Sequence, residues 1–319
     1  SVYQLPGLIL SEDSPRSFLR RSSSKYDIIV YSLAAGYHPV TSGAYSLSED
    51  YRYTVESVQD ALNRLRPDGL LVISRWLQVP PSEFLRAFIL VVDALKEAGL
   101  DPSERVVAIR GYNLGTLYVK PTPFQPGELQ QVRSFAESRA FDLVYLPGLQ
   151  PGETNRFNIL PEDVYAAAFA SYLSAPDRRA WLAAYPYDVS PPTDDRPFFD
   201  HYFRISQVGS IVAAYGKTWQ PFGGAGYLVV VFLLLAAVVF SAVLILLPVL
   251  LRRRREGSLE RSSSTGSRSG RALAYFLLLG FAYMAVEMPL IQKFILYLGQ
   301  PVYSFSAVLF ALLLASGLG

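Results

Sequence analysis

Two pairs of polar residues near the start of this chain have the types and positions that could bind a ligand. Glu12 and Asp13 are adjacent carboxylates that follow the apolar run 8–10, and Tyr31 and Ser32 end a second apolar run. Because open α/β sheets bind ligands outside the carboxyl ends of their strands, residues that follow an apolar run are candidates for binding. The alternatives are a solvated turn or helix cap for Asp13 and ordinary packing of the Tyr31 ring.

A third polar group, Asp194, Asp195 and Arg196, lies among prolines just before the chain becomes apolar. Two acids and an arginine in this arrangement can bind a polar ligand. They can also hold a loop in place through backbone hydrogen bonds and an arginine pair. The sequence leaves both interpretations open.

The fourth group lies within an apolar stretch. Glu287 is close to the middle of residues 272–298, with Gln292 and Lys293 nearer the end. An ionisable side chain inside a membrane is costly, so a functional or bundle-facing role is expected. Pro289 leaves one helix carbonyl without its usual donor beside this carboxylate. An interhelical hydrogen bond through Glu287 is the structural alternative, and Lys293 can extend its amine to the membrane surface.

The elements that must position the first three groups are those of an α/β domain. Apolar runs of strand length alternate with amphipathic segments of helix length, which is typical of a mostly parallel sheet covered by helices. The predicted strands are 8–10, 26–32, 70–76, 105–109, 116–120 and 141–146, and the predicted helices include 53–65, 82–98, 128–139 and 161–173. The predicted fold class is a doubly wound α/β domain, with strands 26–32 and 70–76 as central parallel neighbours.

From residue 226 the sequence is typical of a membrane protein. Residues 226–251 form an uncharged run long enough to cross a bilayer, and four arginines follow at 252–255. Two more transmembrane helices are predicted at 272–298 and 302–319, the last one truncated. The Ser/Gly/Arg-rich residues 252–271 are predicted to be a disordered loop, and their arginines place it in the cytoplasm.

Composition excludes several classes of function. Lys and Arg outnumber Asp and Glu by eight to three after residue 225, whereas acids are in slight excess before it, so no nucleic-acid binding is predicted. The chain has no cysteine and two histidines, and neither histidine lies in a cluster with ligand spacing. No metal site is therefore predicted.

Three segments together resemble the membrane-bound relatives of spermidine synthase, in which an S-adenosylmethionine-dependent methyltransferase-type Rossmann domain is fused to transmembrane helices. Residues 26–32 with 65–74 are similar to the fourth and fifth strands of that fold. Residues 193–199, Thr-Asp-Asp-Arg-Pro-Phe-Phe, are similar to the segment that precedes the membrane in these fusions. Residues 286–294, with 298–303 behind them, are similar to a span that contains Glu287.

The resemblance implies a domain order. Residues 1–122 would form a partial Rossmann domain whose N-terminal part is missing, 123–225 an α/β extension with the juxtamembrane segment, and the rest the three spans and the loop. It also implies S-adenosylmethionine or decarboxylated S-adenosylmethionine as cofactor. Glu12 and Asp13 would face the adenine, with Tyr31 and Ser32 at the next strand end. The glycine-rich turn and the acidic ribose ligand of the family would precede Ser1.

At the position of Tyr31 the polyamine synthases have an aspartate that accepts the proton of the attacking amine. A phenol, with an ordinary pKa of about 10, is a poor base at neutral pH. This difference predicts that the chain does not make spermidine at a useful rate, and it leaves no catalytic residue assigned.

Two classes of function remain. The first is a membrane-anchored spermidine synthase-like transferase that binds a small-molecule amine or another polar ligand. The second is a non-catalytic membrane transport or sensor module that reuses the fold. Both imply contact with membrane lipid and an integral protein of the plasma membrane. The side on which the α/β domain lies is open, because the arginine bias places it outside whereas the cofactor is cytosolic.

Overall fold

The computed structural model describes residues 7–11, 13–33, 49–202, 204, 231–244, 265–298 and 301–318. They divide into two compact units, Ser1–Val239 and Phe240–Gly319. Glu12 lies outside the described residues, and so do residues 226–230, where the first span is predicted to begin, and residues 252–264 of the basic loop. The domain boundary predicted at residue 122 lies inside the first unit.

The first unit alternates helices and strands, as the sequence predicts. Its helices are α1 (Pro15–Arg21), α2 (Val55–Arg64), α3 (Glu83–Glu97), α4 (Pro126–Ser138), α5 (Val164–Ser174) and α6 (Arg178–Ala184). Its strands are β1 (Tyr26–Tyr31), β2 (Leu65–Trp76), β3 (Val106–Arg110), β4 (Leu114–Val119) and β5 (Asp142–Tyr145). The short helix α6 and the strand start at Leu65 are the main departures from the predicted boundaries.

The strands form a mixed sheet in the order β1-β2-β4-β3-β5. β1 and β2 are parallel, whereas β4 lies antiparallel between β2 and β3. The turn between β3 and β4 is short, and strands joined by so short a turn can pair only in the antiparallel direction. The Gly111 N–H closes this turn by donating to the Leu114 carbonyl at 2.8 Å. The predicted antiparallel pair is confirmed, but the expectation of a mostly parallel sheet is wrong.

Helices cover both faces of this sheet. The larger core lies between the sheet and α2, α3 and α5, and it contains Leu71, Ile73, Phe88 and Phe169. α4 covers the opposite face near β3 and β5. Gly115 in β4 allows the Phe84 ring to approach the strand, because a Cβ there would lie 2.5 Å from that ring.

The prediction that 26–32 is a central strand is wrong. β1 is the neighbour of β2, as expected, but it lies at the edge of the described sheet, and Ile28 and Val30 are 60% and 58% exposed. Residues 8–10, predicted to be a strand, are irregular and exposed. An apolar sequence shows that a strand can be covered on both faces, but it does not show which neighbours are available.

Local sequence signals explain where the helices begin. The Thr54 side chain accepts the Ser57 N–H at 3.2 Å and caps α2, as the sequence predicts. α3 begins directly after Ser82, at the predicted boundary. The segment that precedes α2 borders the candidate site.

Apolar helices form the described part of the second unit. The first of them begins in the first unit and crosses the boundary at residue 239. α7 (Val231–Leu244) is apolar but short, α8 (Thr265–Leu298) contains Pro289, and α9 (Pro301–Leu318) packs against α8. Among the described residues, one helical segment, Ala274–Ile295, is long and apolar enough to cross a membrane. The sequence predicts three spans, and the described residues contain one helical segment that could be such a span.

Part of the predicted disorder at 252–271 is wrong, because α8 already begins at Thr265. Extending an existing helix by one residue costs far less than starting a new one, so the apolar segment can extend the helix into polar sequence. The Ser/Gly composition of residues 265–271 therefore does not prevent helix formation.

Candidate functional site

The candidate site lies at the carboxyl ends of the two parallel strands. α1 precedes β1 and α2 precedes β2, each running back along the sheet, so the first turns of both helices lie where β1 and β2 end. Open α/β sheets bind ligands at this edge.

A pocket of about 520 Å³ opens at this edge, and we call it the carboxyl-edge pocket. Three segments far apart in the chain line it. They are the first turns of α1, the segment before α2, and the proline-rich segment near residue 194. The lining residues are Ser14, Pro15, Arg16, Ser17, Arg20, Asp50, Tyr51, Arg52 and Asp194.

Asp194 joins these segments. Its carboxylate accepts hydrogen bonds from the Arg16 guanidinium of α1 and, at 2.8 Å, from the Thr54 hydroxyl at the start of α2. Its backbone N–H donates to Glu56 at 3.0 Å. The ion pair with Arg16 is the main reason that the pKa of Asp194 lies below its usual range. Asp194 therefore shapes the pocket wall through its contacts within the protein.

Asp195 and Arg196 are exposed on the turn that follows. The turn is closed by the Arg196 N–H, which donates to the Thr193 carbonyl at 2.9 Å. On either side of the turn, the carbonyls of Pro192 and Pro197 accept the N–H groups of Val55 and Asp50. The structure thus brings Asp194 into the site and leaves its two neighbours at the surface.

Asp13 lies beside the pocket rather than in it. It is exposed and paired with Arg21, and this hydrogen bond holds the pKa of the Asp13 carboxyl below its ordinary value. Ser32 is exposed at the end of β1. Asp13 and Ser32, two of the four residues that the resemblance assigns to a cofactor, do not line the carboxyl-edge pocket.

Tyr31 is buried beneath the first turn of α2. Its hydroxyl lies 3.2 Å from the Ser57 carbonyl and 3.1 Å from the Ser57 hydroxyl, and its ring meets Tyr53 edge to face. Burial raises the pKa of Tyr31 to about 12. The hydroxyl therefore stays protonated at neutral pH and acts as a donor within the core, so it is less available as a proton acceptor than an exposed phenol.

A buried charged cluster next to the pocket is absent from the sequence predictions. Arg75, near the carboxyl end of β2, lies between the rings of Tyr53 and Phe199, with its guanidinium carbon 3.9 and 4.1 Å from the two ring centroids. Its Nε lies 3.3 Å from Glu83 and its Nη2 lies 3.6 Å from Asp200. Neither nitrogen has a hydrogen-bond partner among the described residues.

Arg86 holds the segment that carries Asp200. Its guanidinium donates to the carbonyls of Ser190, Phe198, Phe199 and His201 at 2.6–3.1 Å. Burial lowers the pKa of Arg86 to about 10, which still leaves it charged at neutral pH. Glu83 and Arg86 are both buried, although helical periodicity places them away from the apolar face of α3.

In the second unit, Glu287 lies in the least exposed part of the helix pair. Its side chain is 8% exposed, whereas Val286 and Met288 beside it are 56% and 52% exposed. On α9, Ser304 and Val308 are also buried. Gln292 and Lys293 are exposed on α8.

The described residues contain no group of three or more side chains that could hold a metal ion. A larger cavity of about 760 Å³ lies between the residues after β5 and the alanines of α5. Glu104 is the one charged side chain in its lining, so we do not consider it a candidate for chemistry.

The carboxyl-edge pocket does not fit a cationic cofactor. S-adenosylmethionine and its decarboxylated form carry a positive sulfonium, whereas three arginines and two aspartates line the pocket. The aspartates are already occupied, Asp194 by Arg16 and Asp50 by Arg52 at 2.6 Å. The lining therefore offers a cationic ligand no carboxylate that is not already paired within the protein.

Comparison with known proteins adds no assignment. The chain matches no model of a known protein family, and a search of curated proteins finds no match.

Proposed function

We propose that the chain is a membrane-anchored protein with the S-adenosylmethionine-dependent transferase fold of the spermidine synthase-like family, and that its α/β unit is a non-catalytic module that binds a polar small molecule. The observation that carries the proposal is the carboxyl-edge pocket, which gathers three distant segments at the ends of parallel strands.

The strand order supports this choice of fold. β2 and β3 run in the same direction, and β4 is inserted antiparallel between them. The methyltransferase-type fold closes with a hairpin of this kind. Two of the three segments that carry the family resemblance are in contact. The segment 193–199 contacts the start of α2, the helix that connects β1 to β2.

The position of Tyr31 favours a binding role over catalysis. A proton acceptor must lie within hydrogen-bond reach of its substrate, and the Tyr31 hydroxyl is directed at Ser57 within the core. A transferase remains the second candidate, supported by the family resemblance alone. The membrane anchor is part of both candidates and rests on the apolar helix Ala274–Ile295.

Incubation of the purified full-length chain with decarboxylated S-adenosylmethionine and putrescine is expected to give no spermidine. Tyr31→Phe should bind ligands as the native chain does and lose about 1 kcal/mol of stability, the usual value of one hydrogen bond. Mass spectrometry of the products and thermal unfolding measure the two results. Turnover that survives Tyr31→Phe would support the transferase and contradict the binding role.

The charge of the pocket predicts the class of ligand. We expect inorganic phosphate, used as a probe, to bind more tightly than putrescine in calorimetric titrations of the full-length chain. Arg20 is the most exposed of the three lining arginines. Its contact with Asp60 is long, at 3.6 Å, so its guanidinium can also bind an anion. Arg20→Gln should weaken phosphate binding about tenfold, close to the value of one charged hydrogen bond.

Arg139→Gln is the matched control, because Arg139 is exposed after α4 and lies outside the pocket lining. It should leave phosphate binding unchanged. Tighter binding of putrescine than of phosphate would show that the ligand class is wrong.

A further inference from the structure

The buried cluster at the end of β2 joins three segments of the first unit. Arg75 comes from β2, Glu83 from the first turn of α3, and Asp200 from the segment 197–202. Phe199 of that segment covers one face of the guanidinium. Contact between the segment 197–202 and the end of β2 therefore depends on the charges of this cluster.

The cluster contains two carboxylates and one guanidinium that makes no hydrogen bond through its Nε or Nη2 to the described residues. Arg75 and Glu83 are buried, whereas the Asp200 side chain is 31% exposed, and one guanidinium balances one carboxylate. With Glu83 protonated, Arg75 and Asp200 form a balanced pair. With Glu83 ionised, Glu83 and Asp200 compete for the same cation and repel each other.

Among the other charged groups around the cluster, Arg86 attracts Asp200 electrostatically. Its guanidinium is fixed by hydrogen bonds to four backbone carbonyls and makes no ion pair with either carboxylate of the cluster. Asp50 and Arg52, in the segment before α2, pair with each other, and the Tyr53 ring covers the second face of Arg75. The Nδ1 atom of His201 is buried without a hydrogen-bond partner among the described residues.

We propose that Arg75, Glu83 and Asp200 form a proton-sensitive latch, which holds the segment 197–202 against β2 while Glu83 is protonated and releases it as Glu83 ionises. The proposal does not depend on the ligand of the carboxyl-edge pocket or on whether the chain is an enzyme. Release would expose Glu83 to water, where a carboxylate is well solvated, and would remove Phe199 from Arg75.

The direction of the pH effect follows from the environment of Glu83. Burial raises the pKa of Glu83 to about 7 from 4.5, although Arg75 acts in the opposite direction. An acid with a raised pKa stabilises the closed state below its ordinary pKa, and this stabilisation is lost as the pH rises through the raised value. Opening of the latch should therefore become more favourable by about tenfold between pH 6 and pH 8.

Hydrogen exchange of the full-length chain in detergent tests the latch. Exchange of the amides of 197–202, corrected for the intrinsic effect of pH, should show an opening constant that rises about tenfold from pH 6 to pH 8. Glu83→Gln should remove this dependence. Glu97→Gln, which changes an exposed carboxylate on the same helix, should retain it.

Asp200→Asn provides a second test that does not require Glu83→Gln to fold. Removing the competing carboxylate should favour ionised Glu83 beside Arg75, so the change between pH 6 and pH 8 should become smaller. An opening constant of the native chain that does not change with pH would overturn the proposal. So would a pH dependence that persists in Glu83→Gln.

Discussion

Arg86→Met is expected to lower the free energy of unfolding of the α/β unit by about 4 kcal/mol. The substitution keeps most of the side-chain volume but leaves four carbonyls of residues 190–201 without their donor. A buried polar group that loses its partner costs about 1–3 kcal/mol, and water can reach some of these carbonyls. Guanidinium titration of the full-length chain, followed by near-ultraviolet circular dichroism, measures the change.

Arg139→Met is the control, because it replaces an arginine that holds no buried segment. Its side chain is exposed, so its effect should stay within about 0.5 kcal/mol. If Arg86→Met has an effect as small as the control, the four hydrogen bonds do not hold the segment as we describe. Loss of secondary structure without a cooperative transition would instead show that the segment is needed for folding.

Asp142→Asn is expected to cost about 3 kcal/mol. The Asp142 carboxylate accepts the N–H groups of Arg156, Phe157 and Asn158 at 2.5–2.8 Å, and the Arg110 guanidinium lies 3.3 Å away. An amide is neutral and replaces one acceptor oxygen with a donor. Breaking a buried ion pair by removing one partner typically costs about 3–5 kcal/mol, and Arg110 retains its hydrogen bond to Asn155 at 2.7 Å.

The pH dependence of stability provides an independent check on Asp142. Burial disfavours its charge, but the backbone donors and Arg110 outweigh burial, so its pKa lies below the ordinary value. A depressed carboxylate stabilises the fold above its unfolded pKa of about 3.9, and this contribution is lost as the pH falls towards the folded pKa. Asp142→Asn should reduce the loss of stability below pH 4. An unchanged acid limb would contradict this assignment.

Local patterns predict the elements of this fold well. The cap at Thr54, the start of α3 after Ser82 and the antiparallel pair β3–β4 all follow from signals within a few residues. The position of β1 in the sheet does not follow, because it depends on which strands are present beside it. Strand type is a local property, whereas strand order is not.

Local sequence patterns predict the candidate site less well than they predict the fold. Asp194 was recognised as a polar candidate, but its partner Arg16 lies 178 residues earlier in the chain. Arg75 is the one charge in the apolar stretch 70–76, and this irregularity is the signal that could indicate the buried cluster. Glu83 and Arg86 are on the polar side of α3 by periodicity, and they become buried because the segment that contains Phe199 packs over them.

Among the described residues no strand pairs with the outer edge of β1, and this has a consequence for solubility. An open strand edge with apolar side chains can pair with another molecule, and the sequence Tyr-Asp-Ile-Ile-Val-Tyr has high strand propensity. Asp27 is the one charge within this strand, and its side chain is 73% exposed and paired with Arg66 at 2.6 Å. Charged residues on an open edge oppose edge-to-edge association. Asp27 is thus the residue of β1 that opposes association along the edge left unpaired among the described residues.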